Sequence, residues 1–153
     1  MTARPPNETE LKLKLAADAR YAAVVRRALE ALLEDAPADA GVIADVKTTV
    51  TEACMNVVRH AYRGEPGQLE VDARLDPGSL VVTVRDWGRG IQPPGNGAGP
   101  GMGLLLIRSL ADELEVRTAP TGTEVLMQFD LWRFGPGPAE PIDRAPPLAA
   151  VPG

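Results

Sequence analysis

The segment from residue 68 to residue 86 limits the folds open to this chain. QLEVDARL alternates apolar and polar residues, and after the turn DPGS the segment LVVTVRD alternates again. A period of two places the apolar side chains of a strand on one face and leaves the other face in water. The central strands of a doubly wound parallel sheet would be apolar on both faces. The pattern therefore predicts antiparallel strands with one buried face.

Alternating and helical patterns follow one another along the rest of the chain. ELKLKL near the start alternates like a strand, and so do LEVRTA and TEVLMQFDLW near the end. Helical spacing marks ARYAAVVRRALEALLED, residues 40 to about 63, and GLLLIRSLADE, which follows a Gly/Pro-rich loop. The order is β-α-α-β-β-loop-α-β-β. We predict an α/β (α+β) two-layer sandwich, in which a mostly antiparallel mixed sheet carries helices on one face.

The two ends of the chain differ from its middle. Residues 1–8 are polar and include a Pro-Pro pair, and residues 135–153 hold six prolines and three glycines. Segments of this kind have little to bury and cannot build a helix or a strand ladder. We therefore predict one ordered domain over residues 9–134, with a disordered N-terminus and a disordered tail.

Charge, cysteine content and hydropathy narrow the class of protein. The net charge of −5 argues against a general nucleic-acid or anionic-membrane binder. A single cysteine, Cys54, cannot form an internal disulfide and fits a reducing compartment. No apolar run approaches the ~18 residues that a membrane span needs, and the N-terminus lacks the apolar stretch of a signal peptide. We predict a cytoplasmic protein without direct contact to nucleic acid or membrane.

Three polar residues recur at intervals of four in the second helix, within TEACMNVVRHAY. Glu52, Asn56 and His60, the only histidine, form one slanted row beside the apolar face. Polar groups at the margin of a core need a partner. An amide oxygen suits Mg²⁺, and a neighbouring carboxylate could deprotonate a nucleophile. A solvated helix flank is the alternative that this helix alone leaves open.

The segment VRDWGRGI carries a second candidate site. Counting in twos along the strand puts Asp86 in the core-facing phase, followed by Gly88 and Gly90. An ionised carboxylate only accepts hydrogen bonds, so it suits the amino group of adenine and disfavours the carbonyl of guanine. Glycines after it let the chain turn and let a flat ligand approach. An ordinary turn at the end of a strand is the alternative.

A glycine-rich loop leads into the third predicted helix. Glycines stand at 95, 97, 99, 101 and 103, directly before the apolar helix begins. Backbone N–H groups at such a helix start can hold phosphate, and the loop could act as a lid. The segment is not a P-loop, because no Lys-Ser or Lys-Thr pair follows the glycines. It has no charged residue between 92 and 103, so positive charge for phosphate would have to come from elsewhere, for example from Arg59, Arg63 or Arg108. A flexible surface loop is the alternative.

Together, EACMNVVRHAY, VRDWGRGI and GMGLLLIRSLADELEV resemble the nucleotide-binding boxes of the GHKL ATPase/kinase superfamily, which has the Bergerat fold. The closest resemblance is to the anti-sigma-factor serine kinases of the RsbW and SpoIIAB type. It implies ATP and Mg²⁺ as ligands, with Glu52 as catalytic carboxylate, Asn56 as Mg²⁺ ligand and Asp86 as adenine acceptor. The remaining implied nucleotide-binding residues are Gly88, Gly90, Gly99, Gly101, Gly103 and Thr123.

The same resemblance implies a function. We expect an ATP-dependent protein-serine kinase of a partner-switching system, which forms a homodimer, holds a sigma factor and phosphorylates a STAS-domain anti-anti-sigma protein. A nucleotide-gated binding module without kinase activity is the alternative. The ATP-binding half of a sensor histidine kinase is disfavoured, because the sole histidine, His60, lies inside the first of the three motifs.

Overall fold

Five β-strands form one sheet in the computed structural model, which describes residues 9–89 and 101–133. Every ladder between these strands is antiparallel, and their order across the sheet is β1-β2-β3-β5-β4. The described part of the sheet is thus antiparallel throughout rather than mixed. The strands are β1 (Glu10–Ala16), β2 (Gln68–Asp76), β3 (Ser79–Asp86), β4 (Glu113–Ala119) and β5 (Gly122–Asp130).

Within the described residues, three helices cover one face of the sheet, and the predicted order of elements is confirmed. They are α1 (Arg20–Leu33), α2 (Ala40–Asn56), which continues as a π-helical turn (Val57–Ala61), and α3 (Gly101–Leu110). The second helix lies at the centre, between the other two. It buries Val42, Val46 and Val50 completely. These valines follow one another at intervals of four residues, which puts them on one face of the helix.

The core lies between this helix layer and the sheet. Val82 on β3 and Met127 and Phe129 on β5 are fully buried, and the alternation of each strand turns the next residue to the other face. The turn between β2 and β3 is closed at Gly78, whose φ of 77° favours glycine. The alternation read from residues 68–86 therefore corresponds to a real hairpin, in which Asp76 pairs with Ser79.

The opposite face of the sheet carries a row of charges that crosses all five strands. Lys14, Glu70, Arg85, Glu124 and Arg117 stand directly opposite one another from β1 to β4 and alternate in sign. Arg85 lies at the centre and makes ion pairs of 2.6 Å with both Glu70 and Glu124. Opposite charges at facing positions stabilise an antiparallel sheet. We call these five residues the charge row.

Two helix ends differ from the sequence prediction. The second helix was predicted to run to about residue 63, but the π-helical turn ends it at Ala61, and Arg63 and Gly64 both have positive φ. The third was predicted to reach residue 113, but α3 ends at Leu110. Its next turn is lost because Asp112 pairs with β5 instead: its N–H donates to Gln128 and its carboxylate accepts from the N–H of Asp130.

Cys54 lies inside the core. Burial raises the pKa of its thiol to about 12, so the thiol stays protonated at neutral pH and is a poor nucleophile. In the ranges that the structure covers, no helix combines the length and apolar character needed to span a membrane. The predicted disordered ends, residues 1–8 and 135–153, lie outside those ranges.

Candidate functional site

Glu52 and Asn56 lie on the last regular turns of α2, at the edge of the surface that the helix buries. Ala53 and Cys54 beside them are buried, whereas Glu52 and Asn56 are half-buried. A spacing of four residues puts the two polar side chains on the same side of the helix, one turn apart. The carboxylate and the amide therefore stand together at the margin of the core.

The beginning of α3 approaches this pair at Gly103. A β-carbon at Gly103 would lie 2.7 Å from Glu52 Oε1 and 2.8 Å from Asn56 Oδ1. Only a residue without a side chain lets the backbone of α3 come so close. The structure thus brings Glu52, Asn56 and Gly103 together. Gly101 is the first residue of α3, while Gly90 and Gly99 lie outside the described residues, as does most of the predicted lid.

The helix changes its winding immediately after Asn56. Val57–Ala61 form a π-helical turn, a rare form that is frequent at functional sites. His60 lies on this π-helical turn and is half-buried, as Glu52 and Asn56 are. The row of three polar residues stays a prediction at its third member. The backbone carbonyl of His60 accepts a hydrogen bond from Arg89 Nε at 3.2 Å.

Asp86 ends β3 on the core-facing side of the sheet, directly opposite Thr123 on β5. Both side chains are buried, with 6% and 8% of their residue surface exposed. Burial raises the pKa of Asp86, and this effect is opposed by hydrogen bonds from the backbone N–H groups of Gly88 and Thr123. Burial therefore disfavours the ionised form of the carboxylate, and the two backbone donors favour it. The pair also lines a cavity of about 260 Å³ beside the half-exposed Trp87.

The segment after Asp86 is fastened to the π-helical turn. A β-carbon on Gly88 would overlap the carbonyl of Ala61, and the N–H of Arg89 donates to that same carbonyl at 3.0 Å. The hydroxyl of Tyr62 accepts from the N–H of Trp87 at 3.0 Å and donates to the carbonyl of Gln68. These contacts fix the Asp86 end of the sheet against the helix that carries Glu52 and Asn56.

The sequence analysis did not single out Tyr62 and Arg89 as residues that join two motifs. Both belong to the quoted motifs, but nothing in their spacing shows that a tyrosine at the end of one motif meets a strand end 25 residues later. The glycine at position 88 was the available signal, because it allows the close approach to Ala61. Arg59, named only as a possible source of charge, forms an ion pair with Glu52.

A Mg²⁺-bound nucleotide fits this donor set. Each carboxylate oxygen has two acceptor positions, so Asp86 keeps acceptor capacity beyond its two backbone donors for an amino group. The start of α3 comes close to Glu52 and Asn56 at Gly103, and backbone N–H groups at a helix start can hold phosphate. Mg²⁺ is usually held by few protein oxygens together with water and substrate phosphates, and Asn56 can offer one such oxygen.

Comparison with known proteins agrees with this fold. Residues 15–129 match the family described as the histidine kinase-like ATPase domain. The chain belongs to this family, and the GHKL resemblance seen in its sequence is confirmed.

Its relatives within that family are anti-sigma factors and serine kinases. An anti-sigma F factor from Halalkalibacterium halodurans is 27% identical over 135 residues, which are 80% of this chain and 92% of that protein. The serine-protein kinase RsbW of Bacillus thuringiensis is 27% identical over 126 residues, 70% of this chain and 76% of its own length. The crystal structure of the RsbU and RsbW domains of Rv1364c from Mycobacterium tuberculosis superposes with a TM-score of 0.66 at 26% identity, over 82% of this chain and 33% of that longer chain.

Proposed function

We propose that this protein is an ATP-dependent serine protein kinase that acts as an anti-sigma factor in a partner-switching system. The observation that carries the proposal is the meeting of Glu52, Asn56 and Gly103, which brings a carboxylate and an amide oxygen together at the start of α3. The similarity to an anti-sigma F factor and to RsbW supports the same function.

Asp86 would select the base of the nucleotide. Its carboxylate accepts hydrogen bonds only, so it would bind the N6 amino group of adenine and repel the O6 carbonyl of guanine. Thr123, opposite Asp86 on the neighbouring strand, would lie on the adenine side, and Gly88 and Gly90 would flank the ring. The phosphates would run towards the start of α3, along Gly99, Gly101 and Gly103.

Glu52 would act on the incoming serine of the protein substrate. The serine oxygen forms a bond to the γ-phosphorus while the bond from that phosphorus to the bridging oxygen of ADP breaks, and the serine proton passes to the Glu52 carboxylate. Positioning supplies most of the rate in such a transfer. Mg²⁺, when bound, would neutralise charge on the phosphate oxygens, and Asn56 would offer it a ligand.

The similarity to an anti-sigma F factor supports a sigma factor as one partner. We propose a sigma factor as the protein that is held and a STAS-domain anti-anti-sigma protein as the one that is phosphorylated, with the kinase as a cytoplasmic homodimer. A module that holds its partner in a nucleotide-dependent way without transferring phosphate is the competing function. The two functions differ in one measurable step, the transfer of phosphate from ATP to the STAS-domain protein.

That step is tested by a radiolabelled ATP assay with the purified STAS-domain protein, run beside capture of the sigma factor. Glu52→Ala should transfer phosphate at least ~100-fold more slowly, as expected when a general base is removed, and should still bind ATP and the sigma factor. Asn56→Ala should lose Mg²⁺-dependent nucleotide binding and with it both activities. Glu34→Ala, at an exposed glutamate just after α1, is the matched control.

The outcomes separate the two functions. A wild-type protein that captures the sigma factor but transfers no phosphate would be a binding module. A protein that binds neither ATP nor ADP would contradict both.

A further inference from the structure

One contact inside the site has no part in the proposed transfer step. Arg59 Nη1 lies 3.3 Å from Glu52 Oε1, so the carboxylate proposed as the base already has a cationic partner. The arginine side chain is half exposed, at 51%, and that of Glu52 is 23% exposed. The pair is therefore open to water on the side of the arginine.

The direction of the arginine follows from helix geometry. Arg59 lies seven residues after Glu52, on the π-helical turn, and the Cα–Cβ bonds of a helix tilt towards its N-terminus. Its side chain reaches back along the helix, past the turn that carries Asn56, to arrive at Glu52. The carboxylate oxygen that it contacts is the one that lies against Gly103. The guanidinium is thus at the site itself.

The charges around this point favour a cation there. Glu52 and Asp86 are acidic, and the segment 91–103 that leads into α3 contains no charged residue. A nucleoside triphosphate would bring several more negative charges, and phosphate oxygens pair strongly with guanidinium groups. The three arginines named from the sequence, Arg59, Arg63 and Arg108, are all exposed, and Arg59 forms an ion pair with Glu52 of the site.

We propose that Arg59 is a residue with two alternative partners: it pairs with Glu52 when no nucleotide is bound and with the terminal phosphate when ATP is bound. This inference rests on the proposed function. A partly exposed ion pair changes an equilibrium by only a few-fold, so a polyphosphate can displace it. Glu52 is then released when a γ-phosphate is present, and it stays paired with Arg59 in the free protein. Arg59 thereby couples recognition of ATP to the freedom of the carboxylate.

The first test compares ATP with ADP by titration calorimetry in Mg²⁺. Arg59→Met keeps the length of the side chain and removes its charge, and it should weaken ATP by roughly 10- to 100-fold, the range for a lost hydrogen bond to a charged group. ADP should be weakened far less, because it lacks the phosphate that Arg59 contacts. Arg59→Lys should recover part of the loss. Arg27→Met, at an exposed arginine of α1, is the matched control. Equal weakening of ATP and ADP, or none, overturns the proposal.

The second test asks whether the ion pair competes with ATP. Glu52→Gln removes the partner of Arg59 in the free protein and should tighten ATP about two- to fivefold, as a partly exposed pair implies. In the Arg59→Met background the same substitution should tighten ATP much less, because the competing pair is already gone. Equal tightening in both backgrounds would show simple repulsion between Glu52 and phosphate, and would overturn the alternation.

These measurements also keep the inference apart from the function on which it rests. If wild type and Arg59→Met bind ATP equally and both phosphorylate the STAS-domain protein, the proposed function stands and the alternation is wrong. If wild type does not bind ATP, the proposed function fails first, and the alternation fails with it. Circular dichroism of each variant checks that the fold is intact before any affinity is compared.

Discussion

Arg85 and Asp86 are neighbours on β3, but their side chains lie on opposite faces of the sheet and in opposite situations. Arg85, at the centre of the charge row, pairs with Glu70 and Glu124, each at 2.6 Å. Asp86 is more deeply buried and accepts from the backbone N–H groups of Gly88 and Thr123. The charges of one face are paired by other side chains, whereas the carboxylate on the other face accepts hydrogen bonds from backbone amides.

This difference separates polar groups that stabilise the fold from polar groups that serve the site. A charge with a well-placed partner of opposite sign stabilises the folded chain. Removing one member of the pair leaves the other buried without compensation, which destabilises the fold. A buried carboxylate held by amides alone raises the free energy of the folded chain relative to a neutral group. The comparison therefore predicts that substitutions on the two faces act on different measured quantities.

The largest effect is expected for Arg85→Met. The substitution leaves Glu70, 6% exposed, with Lys14 at 3.6 Å as its remaining row partner. The free energy of unfolding in urea should fall by about 3 kcal/mol, as for other broken pairs with a buried member. Arg117→Met, at the exposed end of the row, should cost less than ~0.5 kcal/mol. Equal losses of unfolding free energy in the two variants would show that the burial of Glu70 does not set how much the charge row stabilises the fold.

Asp86→Asn should change affinity instead of stability. The amide removes the charge that accepts from adenine, so ATP binding should weaken by roughly 1.5–3 kcal/mol. Wild type should bind ATP and not GTP, and the free energy of unfolding of the variant should be no lower than that of wild type. Calorimetry with both nucleotides, beside urea denaturation, gives the two numbers. Equal affinity of wild type for GTP and ATP would contradict the role of Asp86.

Two glycines extend the comparison to the backbone. Alanine at Gly88 would meet the carbonyl of Ala61, which is part of the main chain and cannot move aside, so stability should fall by about 1–3 kcal/mol. Alanine at Gly103 would meet the ends of the Glu52 and Asn56 side chains, which can rotate away. Gly103→Ala should therefore keep most of its stability and lose ATP affinity. A Gly88→Ala variant as stable as wild type would contradict the rigid contact.

The smallest expected effect is a dependence on pH. Burial raises the pKa of Asp86 above its ordinary value of 3.8, so its contribution to stability is fully present below that value and is lost as pH rises through the raised pKa. The stability of Asp86→Asn relative to wild type should therefore increase from acidic to neutral pH. Urea denaturation at several pH values measures this trend.

Asp112 should behave in the opposite way. Burial raises its pKa, but hydrogen bonds from Arg133 and from the N–H of Asp130 outweigh burial, and the pKa is lowered overall. Its contribution to stability is present above the ordinary pKa and is lost as pH falls through the lowered one. Asp112→Asn should thus lose stability relative to wild type as pH rises from acid to neutral. The same sign of trend in both variants would mean that burial does not distinguish the two carboxylates.

The sequence by itself determined the order of the elements, the antiparallel character of the sheet and the core-facing phase of Asp86. Each of these depends on a local period, two for a strand and 3.6 for a helix, which a reader can count along residues 68–86 or 40–56. The spacing of Glu52 and Asn56 is equally local. These features could be predicted because neighbouring residues fix them.

Only the tertiary structure decided which residues of different elements contact one another. The winding of the second helix changes to a π-helical turn after Asn56, and the members of the charge row, which span residues 14 to 124, come from five strands. Arg59 reaches back to the same Glu52 oxygen that Gly103 approaches from another helix. Such contacts depend on strand register, on local winding and on how closely two backbones can pack, and these are set by the whole packed chain rather than by any single segment.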